Sequence, residues 1–173
     1  MASILKRMLT ASCCLLALSI PSYAASKTYS NVEVTLYGWP DNSPPGNTIA
    51  YPKNGGNPTH HNVATTGGSH SSPGTFASDA QDGEFKVGAI IYVPSVKKYF
   101  ILEDECVQCE SDWQSGHHRH VDLWIGGNPP ANANDVINCE DQLTTTESII
   151  LNPPSTESVS SKPLYNSSTN TCY

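Results

Sequence analysis

The apolar residues of this chain come in short runs broken by Gly and Pro, and no segment carries the 3.6-residue period of a long amphipathic helix. Short strands with turn signals between them make a small barrel or sandwich the expected architecture. Val32–Tyr37 alternates and ends in the turn Gly38-Trp39-Pro40-Asp41. Val87–Val93 reads as a strand stopped by Pro94-Ser95, and Tyr99–Leu102 and Val121–Ile125 read as two more. Asn134–Leu143 is the single stretch suited to a short helix. Residues 42–74, rich in Gly, Pro, Asn, Ser and His, form a long loop region and a candidate binding edge. No internal repeat is visible.

The first 24 residues have the three parts of a secretory signal: basic Lys6 and Arg7, an apolar run from Met8 to Ile20, and a small-x-small pattern at Ser22-Tyr23-Ala24. A membrane span needs about 20 apolar residues, and this run is shorter and interrupted. Cleavage after Ala24 is expected to leave a 149-residue chain, the size of one domain, that is exported to an extracellular or periplasmic space. Loss of Lys6 and Arg7 takes the formal net charge from −7 to −9. Such a surface repels nucleic acid and anionic membranes, so neither is expected as a partner, whereas a neutral polysaccharide fits. A monomer is expected.

Four cysteines remain after the leader, and an even number in an exported chain reads as two disulfides. Three pairings are open. The favoured one joins Cys139 to Cys172, tying the C-terminal tail down, and Cys106 to Cys109 in a tight local loop. A redox role for Cys106-Val107-Gln108-Cys109 ranks below this. Redox motifs of that spacing open a helix after a buried strand, and the acidic run Glu103-Asp104-Glu105 disfavours a thiolate. Only one close pair exists, which argues against a four-cysteine zinc site. His60-His61, His70 and His117-His118-x-His120 lie in polar, Gly-rich sequence with no metal-motif spacing. Neither metal nor cofactor is expected.

Asp122 is the most unusual carboxylate. It stands inside the apolar run His120-Val121-Asp122-Leu123-Trp124-Ile125-Gly126, where alternation turns it away from Val121 and Leu123. A carboxylate in that setting is either hydrogen-bonded for structure or carries a raised pKa suited to proton donation.

The order Thr75-Phe76-Ala77-Ser78-Asp79, Gly88-Ala89-Ile90-Ile91-Tyr92-Val93-Pro94, Tyr99-Phe100-Ile101-Leu102-Glu103-Asp104 and His120 to Gly126 resembles the three-aspartate domain of the double-psi β-barrel superfamily. That superfamily includes lytic transglycosylase A, rare-lipoprotein-A-like proteins, expansins, barwins and family 45 endoglucanases. The match covers residues 75–127, and Val34-Thr35-Leu36-Tyr37-Gly38 is similar to the first barrel strand of expansin-like proteins. The whole chain is also similar to small secreted proteins with Tyr-Gly-Trp-Pro-Asp near the start. The resemblance implies a mostly β, six-stranded double-psi barrel within residues 25–143, its strands lying in roughly residues 30–127. Residues 144–173 are then an extended tail packed outside.

It also implies roles. Asp122 matches the general acid of the transglycosylase and endoglucanase patterns, and His120 matches their His-x-Asp. Asp104 and Asp79 match the other two aspartates, Asp79 across a slightly longer stretch. Asp41 is the nearest counterpart of the second endoglucanase aspartate, but it follows Tyr37 by four residues instead of two. Tyr37, Trp39 and Trp113 are candidate sugar platforms, and Asp79 and His120 further substrate contacts. The chemistry implied is glycosidic-bond cleavage in a cell-wall polysaccharide or peptidoglycan. Protonating the leaving oxygen needs a carboxylic acid that keeps its proton near neutral pH. Hydrolysis needs a second carboxylate as well. A lytic transglycosylase can use one, because the sugar's own 6-hydroxyl attacks. The alternatives are a non-catalytic expansin- or barwin-like carbohydrate-binding protein, and a secreted effector or inhibitor using the barrel as a scaffold.

Overall fold

The computed structural model describes residues 24–127 and 133–173. The proposed leader falls on residues outside that range, apart from Ala24. Six strands close into one barrel in the order β1-β5-β2-β4-β3-β6. They are β1 (Lys27–Gly38), β2 (Gly74–Ser78), β3 (Ile90–Val93), β4 (Lys98–Glu105), β5 (His120–Gly126) and β6 (Thr145–Leu151). The β1–β5 and β2–β4 pairs are parallel and the other four are antiparallel. The chain ends in a two-stranded ribbon of β7 (Tyr165–Asn166) and β8 (Thr171–Cys172). The mostly β, six-stranded expectation therefore holds, and so does the short helix near 134–143, seen as α2 (Ala133–Leu143).

Alternation along the strands fills the barrel. Val32, Val34, Leu36, Phe76, Phe100, Leu102, Val121, Leu123 and Ile149 all belong to one buried apolar cluster. Burying each such side chain contributes on the order of 1.5–3 kcal/mol. The intervening residues, among them Thr35, Tyr37, Ala77 and Asp122, face outward, where helices and loops cover part of the barrel wall.

Two expectations need correction. Thr145–Leu151 is not outer tail but the sixth barrel strand, antiparallel to both β1 and β3. The barrel thus runs past the boundary set at 143/144. The flanking Ser, Thr and Pro content hid it, since only Ile149 in this strand is buried and no alternation shows. Residues beyond it do form the expected disulfide-pinned tail. Cys139 on α2 is bonded to Cys172 on β8, with Cα atoms 5.3 Å apart.

The second correction is helix α1 (Val107–Gly116), which no sequence period announced. Only Cys109 on it is buried, and Val107 is 78% exposed, so it carries almost no apolar stripe. Local capping supports it instead. Cys106 is the N-cap and its Sγ accepts from the Cys109 amide, while His117 ends the helix in the left-handed conformation at φ 54°. Cys106 and Cys109 are bonded as expected. They nevertheless sit where a helix opens after a buried strand, the setting the sequence had not led us to expect there.

Residues 42–73 are mostly irregular, with a short 3-10 turn at Lys53–Gly55. The buried Glu103 carboxylate anchors this loop. It accepts from the His60 and His61 amides, from the Thr75 hydroxyl, and contacts His61 Nδ1 at 2.8 Å.

Candidate active site

Four register partners stand in a row across neighbouring strands, and three of them, Asp122, Ala77 and Asp104, line a groove. Thr35 on β1 pairs with Asp122 on β5, Asp122 with Ala77 on β2, and Ala77 with Asp104 on β4. A β-bulge between Phe76 and Ala77 shifts the β2–β4 register and brings Asp104 into this row. The small Ala77 side chain leaves open space between the two carboxylates. Asp41, Asp104, Asp122 and Tyr37 all line the resulting groove of about 530 Å³, and Cys106 lies at its edge.

The carboxylates are held differently. Asp104 accepts from the Ala50 amide at 2.8 Å, the Glu105 amide at 3.0 Å and the Tyr37 hydroxyl at 2.9 Å. Burial still raises its pKa against those bonds. Asp122 accepts from one donor, the Thr35 hydroxyl at 2.7 Å. Burial pushes it up to about 6, the Thr35 bond and His120 pull the other way, and Asp41 and Asp104 add to the rise. Asp41 is exposed and accepts from the Gly38 amide at 2.9 Å, which folds the loop back on the strand end.

His120 is buried behind this row. Its Nε2 lies 2.8 Å from Thr35 Oγ1 and its Nδ1 lies 2.7 Å from Asp112 Oδ2 on α1. It therefore reaches Asp122 through Thr35 instead of touching it.

The remaining candidates lie elsewhere. Asp79 is buried, and its Oδ1 accepts from the Gln81 and Asp82 amides, closing the turn after β2 outside the groove lining. Trp113 on α1 stacks edge-on against His117 with centroids 4.8 Å apart and is not in the groove. Trp39 lines a separate cavity of about 490 Å³ together with Trp124 and Tyr165. Tyr37 is in the groove, but its ring packs edge-on against Trp124 and its hydroxyl is committed to Asp104.

Sequence reasoning missed Thr35, Asp112 and Glu140. Glu140 on α2 is buried, and its Oε1 has no hydrogen-bond partner among the described residues. Burial pushes its pKa up to about 8, and Asp41 and Asp122 push the same way. A Cβ at Gly38 would lie 2.6 Å from Val136 and 2.9 Å from Glu140 Oε1, so glycine is what lets α2 approach here. Glu140 could have been flagged only as an acid on the apolar side of a short helix. Among the described residues, Glu33, Asp112 and His120 bring ligand atoms within 4.8 Å of one another. Both ring nitrogens of His120 are already engaged there, which disfavours a metal at that point.

The arrangement offers a desolvated carboxyl with a pKa raised to about 6, facing an open groove with other acids beside it. Known proteins place the chain without describing its chemistry. It is 37% identical over 141 residues to the uncharacterized protein DDB_G0273701/DDB_G0273221 of Dictyostelium discoideum, covering 81% of this chain. The chain spans 58% of that relative's length. No solved structure matches it. Residues 29–173 match the DDB_G0273701 N-terminal domain, and the chain belongs to that family.

Proposed function

We propose that this is an exported carbohydrate-active protein with a double-psi barrel, cleaving glycosidic bonds in a cell-wall or structural polysaccharide, with Asp122 as general acid. The observation that carries this reading is the bonding of Asp122. It faces a groove and accepts one side-chain hydroxyl and no backbone amide among the described residues. A structural carboxylate gathers several donors, as Asp104 does. Asp122, with its single hydroxyl donor, has its pKa raised to about 6, in the direction that proton donation to a leaving oxygen needs.

Two parallel pairings inside one closed six-stranded barrel support the double-psi assignment. Two disulfides support export to an oxidising compartment. A lytic route is favoured over hydrolysis, because Asp104 is fixed by three donors and Asp41 is exposed and tethered. Neither is poised as a free base beside Asp122. The test is incubation with peptidoglycan, chitin and β-glucans, followed by mass spectrometry of released fragments. Anhydro ends indicate the lytic route. Glycan binding without any fragments would instead favour the expansin-like alternative.

A further inference from the structure

We propose that His120 and Asp122 share one proton through the Thr35 hydroxyl, with Asp112 orienting the imidazole, so that a relay beneath the groove recharges the acid. The use of this relay in catalysis rests on the reading of Asp122 as general acid; the relay itself does not.

Three contacts define it: Asp112 Oδ2 to His120 Nδ1 at 2.7 Å, His120 Nε2 to Thr35 Oγ1 at 2.8 Å, and Thr35 Oγ1 to Asp122 Oδ1 at 2.7 Å. An ionised carboxylate only accepts, a hydroxyl has one proton to give, and each ring nitrogen either donates or accepts. Two arrangements place one proton in every contact. In the first, both ring nitrogens are protonated, Nδ1–H donates to Asp112, Nε2–H donates to Thr35, and Thr35 donates to ionised Asp122. In the second, Nδ1–H still donates to Asp112, but bare Nε2 accepts the Thr35 proton and Thr35 accepts from protonated Asp122. A neutral ring facing an ionised Asp122 leaves one contact without a proton. A protonated ring facing Asp122 protonated on Oδ1 leaves the Thr35 proton without an acceptor, and one facing Asp122 protonated on Oδ2 holds one proton more than the shared one.

The two arrangements interconvert without solvent. The Nε2–H bond and the old Thr35 O–H bond break, and a new Thr35 O–H bond and an Asp122 O–H bond form. The imidazolium and carboxylate charges vanish together, so net charge is unchanged. After Asp122 gives up its proton, His120 can replace it from behind while a sugar still fills the groove.

The surroundings act on both ends of the relay. The His120 side chain is 3% exposed, so the charge-separated state has little help from water. Asp41 beyond β1, Asp104 on β4 and Glu140 on α2 face Asp122, and Glu33 and Asp112 flank His120. The acids that face Asp122 resist a further bare carboxylate there, whereas Glu33 and Asp112 favour the imidazolium, so both arrangements stay within reach. Asp112 also accepts from Gln108 at 3.0 Å, which fixes it for the imidazole.

The test is NMR on the folded full domain, following ¹⁵N of the His120 ring and ¹³C of the Asp122 carboxyl against pH. The expected result is that neutral His120 is the Nδ1–H tautomer, and that both groups show inflections at the same two pH values, as a coupled pair does. In Thr35→Val each group should titrate alone, with the Asp122 midpoint raised by about one pH unit. Thr35→Ser should restore the coupling. Should Thr35→Val fail to fold, Asp112→Asn serves, with the neutral ring expected to move to the Nε2–H tautomer. An Nε2–H tautomer in the unmutated protein, or curves that Thr35→Val leaves unchanged, would overturn the relay. Coupled titrations in a protein that cleaves no glycan would uphold the relay and remove the glycan reading. Uncoupled titrations together with cleavage lost in Asp122→Asn would do the reverse.

Discussion

Thr35 and Asp122 are register partners in the parallel β1–β5 pair, and the Thr35 hydroxyl donates to Asp122 Oδ1 at 2.7 Å. A side-chain hydroxyl can bond an amide oxygen as readily as a carboxylate, whereas a ring of backbone amides could not accommodate an NH₂ group. That difference makes Asp122→Asn an informative substitution. It removes the acid and keeps the bond to Thr35. Glycan cleavage should fall by about 100- to 10,000-fold, with the melting temperature unchanged or slightly raised. Fragment release measured beside thermal unfolding checks both halves, and a mutant with full cleavage activity removes Asp122 from the acid role.

The same carboxyl sets a pH profile. Cleavage needs Asp122 protonated, and burial holds its pKa at about 6. The value of kcat/KM, which reports the free enzyme, should therefore decline as pH rises through about 6, tenfold per unit above it. A rate that stays flat from pH 5 to 8 would be incompatible with this assignment.

Glu140 should weaken the fold at alkaline pH. Its folded pKa of about 8 lies above the 4.5 of a free glutamate, so the folded state binds the proton more tightly than the unfolded chain does. Stability then decreases as pH rises from about 4.5 to 8. Glu140→Gln removes that penalty. Its melting temperature should match the parent near pH 4 and exceed it at pH 9, by about 1–3 kcal/mol in stability. Paired melts at the two pH values test this.

Glu84 behaves in the opposite sense. Burial raises its pKa, but hydrogen bonds from Tyr29, Lys27 and Arg119 outweigh this and lower it to about 2. Its contribution is present above the unfolded pKa of about 4.5 and is lost as pH falls toward 2. Glu84→Gln should cost about 1 kcal/mol at pH 7, after allowance for the group's contact with water, and nothing at pH 2. Urea unfolding at both pH values provides the comparison.

Cys172→Ser opens the link between α2 and the C-terminal ribbon, 33 residues apart in sequence. The loss should be about 2–5 kcal/mol. Calorimetry should show a melting temperature lower by about 5–15 °C. In the parent protein both thiols should resist alkylation in the folded state. Labelling of native Cys139 would contradict the bond.

Much of this was open to reading in the chain itself. The strand around Val34 announced itself by alternation, and those around Ile91, Phe100 and Leu123, buried on nearly every residue, by short apolar runs between turn signals. Asp122 stood out because it interrupts such a run, and cysteine parity called for two disulfides, of whose three pairings the favoured one is formed. Helix α1 was hidden because its stability comes from capping at Cys106 and His117 and from one buried cysteine, not from an apolar stripe. β6 was hidden because a single buried residue, Ile149, leaves no alternation to count.

The sequence by itself determined which residues could be catalytic acids and which segments could be strands, since both depend on residue type and local order. Only the tertiary structure decided which acids meet. A parallel register put Thr35 beside Asp122, a bulge at Phe76/Ala77 moved Asp104 into the same row, and a glycine at position 38 let Glu140 approach from α2. The same packing sent Asp79 and Trp113, both candidates in the sequence, elsewhere. Desolvation and hydrogen bonding depend on what lies within a few ångströms in space, and residues 35, 112, 122 and 140 become neighbours only when the barrel closes.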